Sequence, residues 1–114
     1  MREIKFRGKD IETGEWIYGG IDSTGECISI SMDKERYIAV DKETISQYTG
    51  FNDINNDEIY VGDILSDVLG NTVIVEYAKG AYSIKFPYCN DYMLLHDFLK
   101  VISLEKTGNI FDNR

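Results

Sequence analysis

Proline, cysteine and histidine are nearly missing from this chain: Pro87, Cys27, Cys89 and His96 are all it has of the three. Each scarcity excludes something. The two cysteines lie far apart with no CxxC spacing, and with a single histidine they supply too few ligands for a structural zinc site. In a reducing cytosol both thiols are expected free and buried. A nucleophilic centre needs a Ser, Cys or Thr beside an activating base. His96, next to Asp97 in an apolar stretch, reads instead as a packed or surface residue. Long apolar runs are missing too. No stretch reaches the roughly 18 apolar residues of a membrane span, and MREIKFRGKD shows no signal-type segment. The expectation is therefore a cytoplasmic protein.

Bases are scarce relative to acids, 12 against 20, for a net charge of −8. Sequence-independent affinity for nucleic acid comes mainly from Lys and Arg displacing counterions, so neither DNA nor RNA is an expected partner, nor an anionic membrane. No GxxxxGK[ST] or GxGxxG run is present to cradle phosphate.

What remains is ample for a core. The chain is 43% hydrophobic with eight Tyr and five Phe, too aromatic for disorder. Its 114 residues fit a single domain, 1–114. Period-2 alternation around Ile4 and Phe6, then Trp16 and Tyr18, flanks the Thr13-Gly14 turn, predicting a hairpin of residues 2–8 with 15–22. A second hairpin is expected over 26–40, turning at Asp33-Lys34-Glu35. Asp41 could cap one helical turn. Strands follow over 59–69, broken at Gly62, over 72–77 after a turn at Leu69-Gly70-Asn71, and over 82–86 after a turn at Lys79-Gly80. Pro87 ends that ladder, and strand character resumes from Val101 to Leu104. Residues 91–100, DYMLLHDFLK, are the one helix candidate, with Asp91 as cap and Met93, Leu94 and Phe98 inward; two short strand pieces are the alternative. Thr107-Gly108-Asn109 reads as a turn before Ile110 and Phe111. The fold class is mainly β, a small antiparallel barrel with N-terminal hairpins and at most one short helix.

The stretch QYTGFNDINNDEIYVGDIL, residues 47–65, concentrates Asp53, Asp57, Glu58 and Asp63 among aromatics and glycines. A calcium loop would need oxygen ligands at positions 1, 3 and 5, Gly at position 6 and Glu at position 12. Counting from Asp53, Asn55 and Asp57 fit, but Glu58 and Ile64 stand where Gly and Glu are required. The better reading is architectural. Asp and Asn bond to their own backbone in tight connections, so Gly50, Asp53, Asn55, Asn56, Gly62 and Asp63 are read as turn residues. Asp63 is expected to accept backbone N–H groups. No metal ligand, cofactor or catalytic residue is assigned. Tyr48, Phe51 and Tyr60 are the candidate binding residues.

The same stretch, preceded by VDKETIS, resembles the signature of the YopX family of phage and prophage proteins. That pattern is a QYTG, a hydrophobic residue, a D-x-NG turn, an acidic-Ile-Tyr group and an x-GD-hydrophobic strand. Here it falls on Gln47 to Gly50, Phe51, Asp53, Asn55, Asn56, Glu58 to Tyr60 and Gly62 to Ile64. REIKFR and TGNIF, with Asn113 nearby, resemble the family's ends. Two positions depart: Asn56 replaces the turn Gly, and Gly8-Lys9 replaces an Ala-Trp after FR, so the first strand is expected to end early. The resemblance implies an SH3-like barrel and hands over no catalytic residue. The expected function is a phage- or prophage-encoded, non-enzymatic domain that binds an unknown host or phage protein or assembles with itself. The alternatives are a metal-dependent enzyme using Asp53, Asp57, Glu58 and Asp63, and an acidic DNA mimic that inhibits a host enzyme.

Overall fold

The computed structural model describes residues 5–22, 28–31, 36–87 and 91–112. The expectations for Ile4, Cys27, the turn at 33–35, Cys89 and Asn113 lie outside them. The described residues are mainly β, with ten strands and one short helix. None of their helices is long and apolar enough to cross a membrane. The chain forms two compact units, residues 1–48 and 49–114.

In the first unit β1 (Phe6–Asp10), β2 (Trp16–Asp22), β3 (Ser29–Ser31) and the start of β4 (Ile38–Asn52) pair antiparallel in that order, and β1 also pairs with β4. The pairing thus runs in a ring. The strand pairings of both expected hairpins are present: Arg7 faces Tyr18, and Ile30 faces Ile38. The first turn closes through Asp10 N–H to Glu15 O at 2.9 Å, with Gly14 at φ +76.

Strand β1 does not end at Gly8. It continues to Asp10, because a residue without a side chain is what the ring interior accepts there. A Cβ on Gly8 would stand 2.9 Å from Val40 Cγ2 and 3.2 Å from Ile30 Cδ1. Nor does Asp41 begin a helical turn. Arg7 faces Ser46 while Lys9 faces Asp41, so residues between them on β4 bulge outward. The capping chemistry survives inside that bulge. Asp41 Oδ1 accepts the Glu43 N–H at 3.1 Å, and Thr44 Oγ1 accepts the Lys9 N–H at 2.8 Å. Arg7 is 2% exposed; its Nε donates to Ser46 Oγ at 2.9 Å, and its guanidinium lies over the Trp16 ring.

The second unit takes the end of β4, to which β5 (Glu58–Tyr60) is hydrogen-bonded, and an antiparallel sheet ordered β10-β6-β7-β8-β9. Its strands are β6 (Asp63–Ser66), β7 (Thr72–Ala78), β8 (Ala81–Lys85), β9 (Tyr92–Leu94) and β10 (Glu105–Asn109), with α1 (Leu95–Val101) between the last two. Lys79 and Gly80 both have positive φ, the primed turn that matches the twist of a two-residue hairpin. Ile59, Leu65, Val73, Val75, Ile84, Leu95, Phe98 and Leu104 form the core. Each such side chain removed from water contributes about 2 kcal/mol before chain entropy is counted.

Several expectations shift here. Strand β6 stops at Ser66, and Val68 stands in the following turn. DYMLLHDFLK divides into strand and helix, because Tyr92, Met93 and Leu94 zip onto Lys85, Ile84 and Ser83 of β8. The helix begins only at Leu95, with Leu94 rather than Asp91 at its N-cap. Leu95 and Phe98, one turn apart, face inward, while Met93 and Leu94 are exposed. Val101 closes the helix instead of opening a strand, and Thr107-Gly108-Asn109 lies within β10, paired with β6, so the turn falls at 110–112.

Candidate functional site

The central carboxylates are held by the backbone around them. Asp53 is 8% exposed and both of its oxygens accept. Oδ1 takes the N–H of Asn55 at 2.9 Å and of Asp57 at 2.8 Å, and Oδ2 takes the N–H of Lys106 at 2.8 Å. The loop closes by Asp53 N–H to Asp57 O at 2.9 Å, and Asn56 adopts φ +66. Asparagine tolerates that left-handed region better than most residues, so it serves where the family pattern has Gly. Two further bonds, Ile54 N–H to Leu104 O at 3.1 Å and Asn55 Nδ2 to Glu105 Oε1 at 3.1 Å, stitch the loop to the entry of β10. A sheet-edge amide that would otherwise face outward, that of Lys106, is thereby occupied.

Asp63 has no exposed surface, and its Oδ2 accepts the Tyr60 N–H at 2.7 Å, the backbone role expected of it. Lys106 completes the cluster. Its Nζ donates to Glu58 O at 2.7 Å, lies 3.7 Å from Asp63 Oδ2 and sits 6.0 Å from the centre of the Tyr60 ring. No sequence spacing pointed to Lys106, which meets Asp53 and Glu58 across 53 and 48 residues. Glu58 accepts from the Tyr60 hydroxyl at 3.1 Å. Among the described residues no three His, Cys, Asp or Glu side chains gather as a metal set.

Gly62 makes the corner between β5 and β6. It stands at φ +94, and an added Cβ would come 2.6 Å from Phe111 Cε2. Its N–H bonds Val75 O and its carbonyl accepts from Ile110 N–H. We expect Gly62→Ala to lower unfolding free energy by about 2 kcal/mol, from left-handed strain and the displaced ring together. Urea unfolding measures it, and a loss below about 0.5 kcal/mol, the range of ordinary surface substitutions, would contradict the corner's role.

The three candidate binding rings are placed unequally. Tyr60 is fully buried, Tyr48 is 7% exposed and Phe51 is half-buried. Of the three, Phe51 shows the most ring to solvent, and it stacks on exposed His96 with centroids 5.4 Å apart. Gly50 is a left-handed position at φ +87 within β4.

The turn expected at Leu69-Gly70-Asn71 is present but starts earlier, at Asp67, so that Val68, expected in the strand, stands in it. Between β6 and β7 the chain turns through Asp67–Asn71, presenting Val68 at 91% and Leu69 at 83% exposure. Asp67 holds this turn as Asp53 holds its own: Oδ1 accepts the N–H of Leu69 and of Asn71, both at 2.9 Å, and Oδ2 accepts Asn71 Nδ2 at 3.1 Å. The Asn71 side chain foremost holds its carboxyl below the usual range; desolvation opposes it, and the N–H groups of Asn71, Leu69 and Gly70 each add a smaller lowering. A lowered carboxyl pKa means that this support is complete above the ordinary carboxyl range and fades as pH falls through the lowered value.

These features define a small mainly β protein whose central acids serve turns and whose apolar surface includes a preformed loop tip. The chain belongs to the YopX protein family, whose model matches residues 5–114. No curated protein matches its sequence.

Proposed function

We propose that this is a phage- or prophage-type interaction module of the bacterial cytosol, non-enzymatic, which works by presenting an apolar tip to another protein surface. The observation that carries the reading is the Val68-Leu69 pair. Two adjacent aliphatic side chains stand almost wholly in water on a turn fixed by one carboxylate. A loop already held in one conformation loses little entropy when it docks, and rigid scaffolds commonly place their binding residues on such loops. The engagement of both Asp53 oxygens and of Asp63 with backbone N–H groups supports a structural use of the acids. The ring of β1 to β4 is what we read as the SH3-like barrel.

The test is site-specific photocrosslinking in bacteria expressing the full chain. A photoreactive phenylalanine analogue at position 69 is expected to give a discrete protein adduct, and the same analogue at exposed position 12 is not. Equal background labelling at both positions would remove the interaction reading.

A further inference from the structure

We propose that the tip of the β7–β8 hairpin is a separate docking surface, which takes a short acidic segment of a partner protein through Lys79 and the exposed ring of Tyr77. It stands at the opposite end of β7 from the Val68-Leu69 turn, so it goes beyond the reading given above and does not depend on it. The backbone singles out Lys79. This exposed residue adopts φ +53, a left-handed conformation that residues with a Cβ disfavour. Asn or Gly is the usual choice at the first position of a primed two-residue turn. A lysine kept there carries its ammonium to the end of the hairpin at a cost in stability, and strained positions of this kind gather at ligand clamps.

Charge and ring chemistry define the occupant. No Asp or Glu occurs between Glu76 and Asp91, the longest such interval in a chain with 20 acids, and Lys79 falls within it. Glu76 itself is directed elsewhere. Tyr77 pairs with Tyr82 and Glu76 with Ser83, so the two alternate to opposite faces of β7. Across the sheet, the Tyr92 hydroxyl bonds to the Glu76 carboxylate. An acidic segment is therefore repelled over most of a surface of net charge −8 and meets a cation here, which orients its approach. Tyr77 is 60% exposed and is braced edge-on against Tyr82, with centroids 5.2 Å apart and an interplanar angle of 73°. Tyrosine is enriched among the residues that carry interface energy. The occupant that fits is a carboxylate for the Lys79 ammonium beside an apolar side chain for the Tyr77 ring. A nucleic-acid strand fits less well, since its affinity comes from neutralising several phosphates and the tip offers one lysine.

The experiment is fluorescence anisotropy on the full chain with a labelled peptide of alternating Glu and Leu, beside the same peptide with Gln for Glu and a single-stranded oligonucleotide of equal length. The Glu peptide is expected to bind saturably and to weaken as salt is raised, and the Gln peptide is not expected to bind. Lys79→Asn keeps the turn and removes the charge. It is expected to weaken binding about fivefold, the upper end for an exposed ion pair, and to raise the urea midpoint by relieving the left-handed lysine. Lys79→Arg is expected to bind like the parent, Tyr77→Ser to bind more weakly, and Leu69→Ser, at the other end of β7, to bind unchanged. No saturable binding of the Glu peptide, equal binding of the Gln peptide, or tighter binding of the oligonucleotide would each overturn the proposal. So would a Lys79→Asn protein that binds like the parent or unfolds at the same urea concentration. Failure here with a crosslink still formed at position 69 overturns this surface alone and leaves the Val68-Leu69 reading standing.

Discussion

Asp63→Ala is expected to destabilise the protein by about 3 kcal/mol, the largest effect of any single change in the central block. The carboxylate has no exposed surface, and its Oδ2 accepts the Tyr60 N–H at 2.7 Å. Truncation leaves that amide buried with its acceptor gone, a loss of about 1–3 kcal/mol. It also takes the counter-charge from Lys106, whose Nζ is 3.7 Å from the same oxygen. Breaking a fully buried pair costs about 3–5 kcal/mol. Lys106 is 25% exposed, so water recovers part of that. Asp63→Asn keeps an oxygen for Tyr60 and loses the charge, so about half the penalty should remain. Lys106→Met retains the apolar stem and removes the ammonium. If the two groups act as a pair, Asp63→Asn and Lys106→Met combined should cost less than the sum of the two alone by more than about 0.5 kcal/mol. Urea unfolding followed by circular dichroism measures all four. An Asp63→Ala protein within about 0.5 kcal/mol of the parent would show that the buried carboxylate contributes nothing net.

The strands were legible wherever period-2 alternation met a turn residue with one clear geometry. Thr13-Gly14, Gly62 and Lys79-Gly80 all lie where the chain reverses. The reading failed where a long-range partner decided the outcome. Gly8 looked like an interruption because its reason, the approach of Val40 and Ile30, lies outside its own segment. Asp41 to Thr44 carries true capping chemistry, yet pairing with β1 turns it into a bulge. DYMLLHDFLK satisfied a helical and an extended pattern at once, and the register with β8 divided it. At the site, Asp53 and Asp63 were legible because Asp beside Gly or Asn bonds locally. Lys106 was not, since a lysine in an exposed, alternating strand has no local mark. Val68 was hidden by its own character: an apolar residue next to a strand reads as more strand, whereas Leu69-Gly70-Asn71 was legible as a turn, and the Asp67 bonds are what place both side chains at its tip.

Removing the Asp53 carboxylate separates an architectural turn from an ion site, because the two uses predict opposite responses to added cation. Asp53→Ala releases three N–H groups, those of Asn55, Asp57 and Lys106. At about 1 kcal/mol each, less what water returns to the exposed Asn55 and Asp57 sites, the expected loss is about 2 kcal/mol or slightly more. Asp53→Asn should retain Oδ1 and its two local donors but turn an NH₂ toward the Lys106 N–H, donor against donor. Its loss should therefore fall on the β10 side. Hydrogen exchange resolves this residue by residue: the Lys106 amide should exchange faster in both variants, the Asp57 amide chiefly in Asp53→Ala. Calcium, magnesium or manganese should leave the parent's melting temperature unchanged, since both Asp53 oxygens already face N–H donors. A cation held by this loop at a thousand times its dissociation constant would instead add about 4 kcal/mol. Stabilisation of that order in the parent, lost in Asp53→Asn, would make the loop a metal site after all. An unaltered Lys106 amide would show that the carboxylate does not hold the edge of β10.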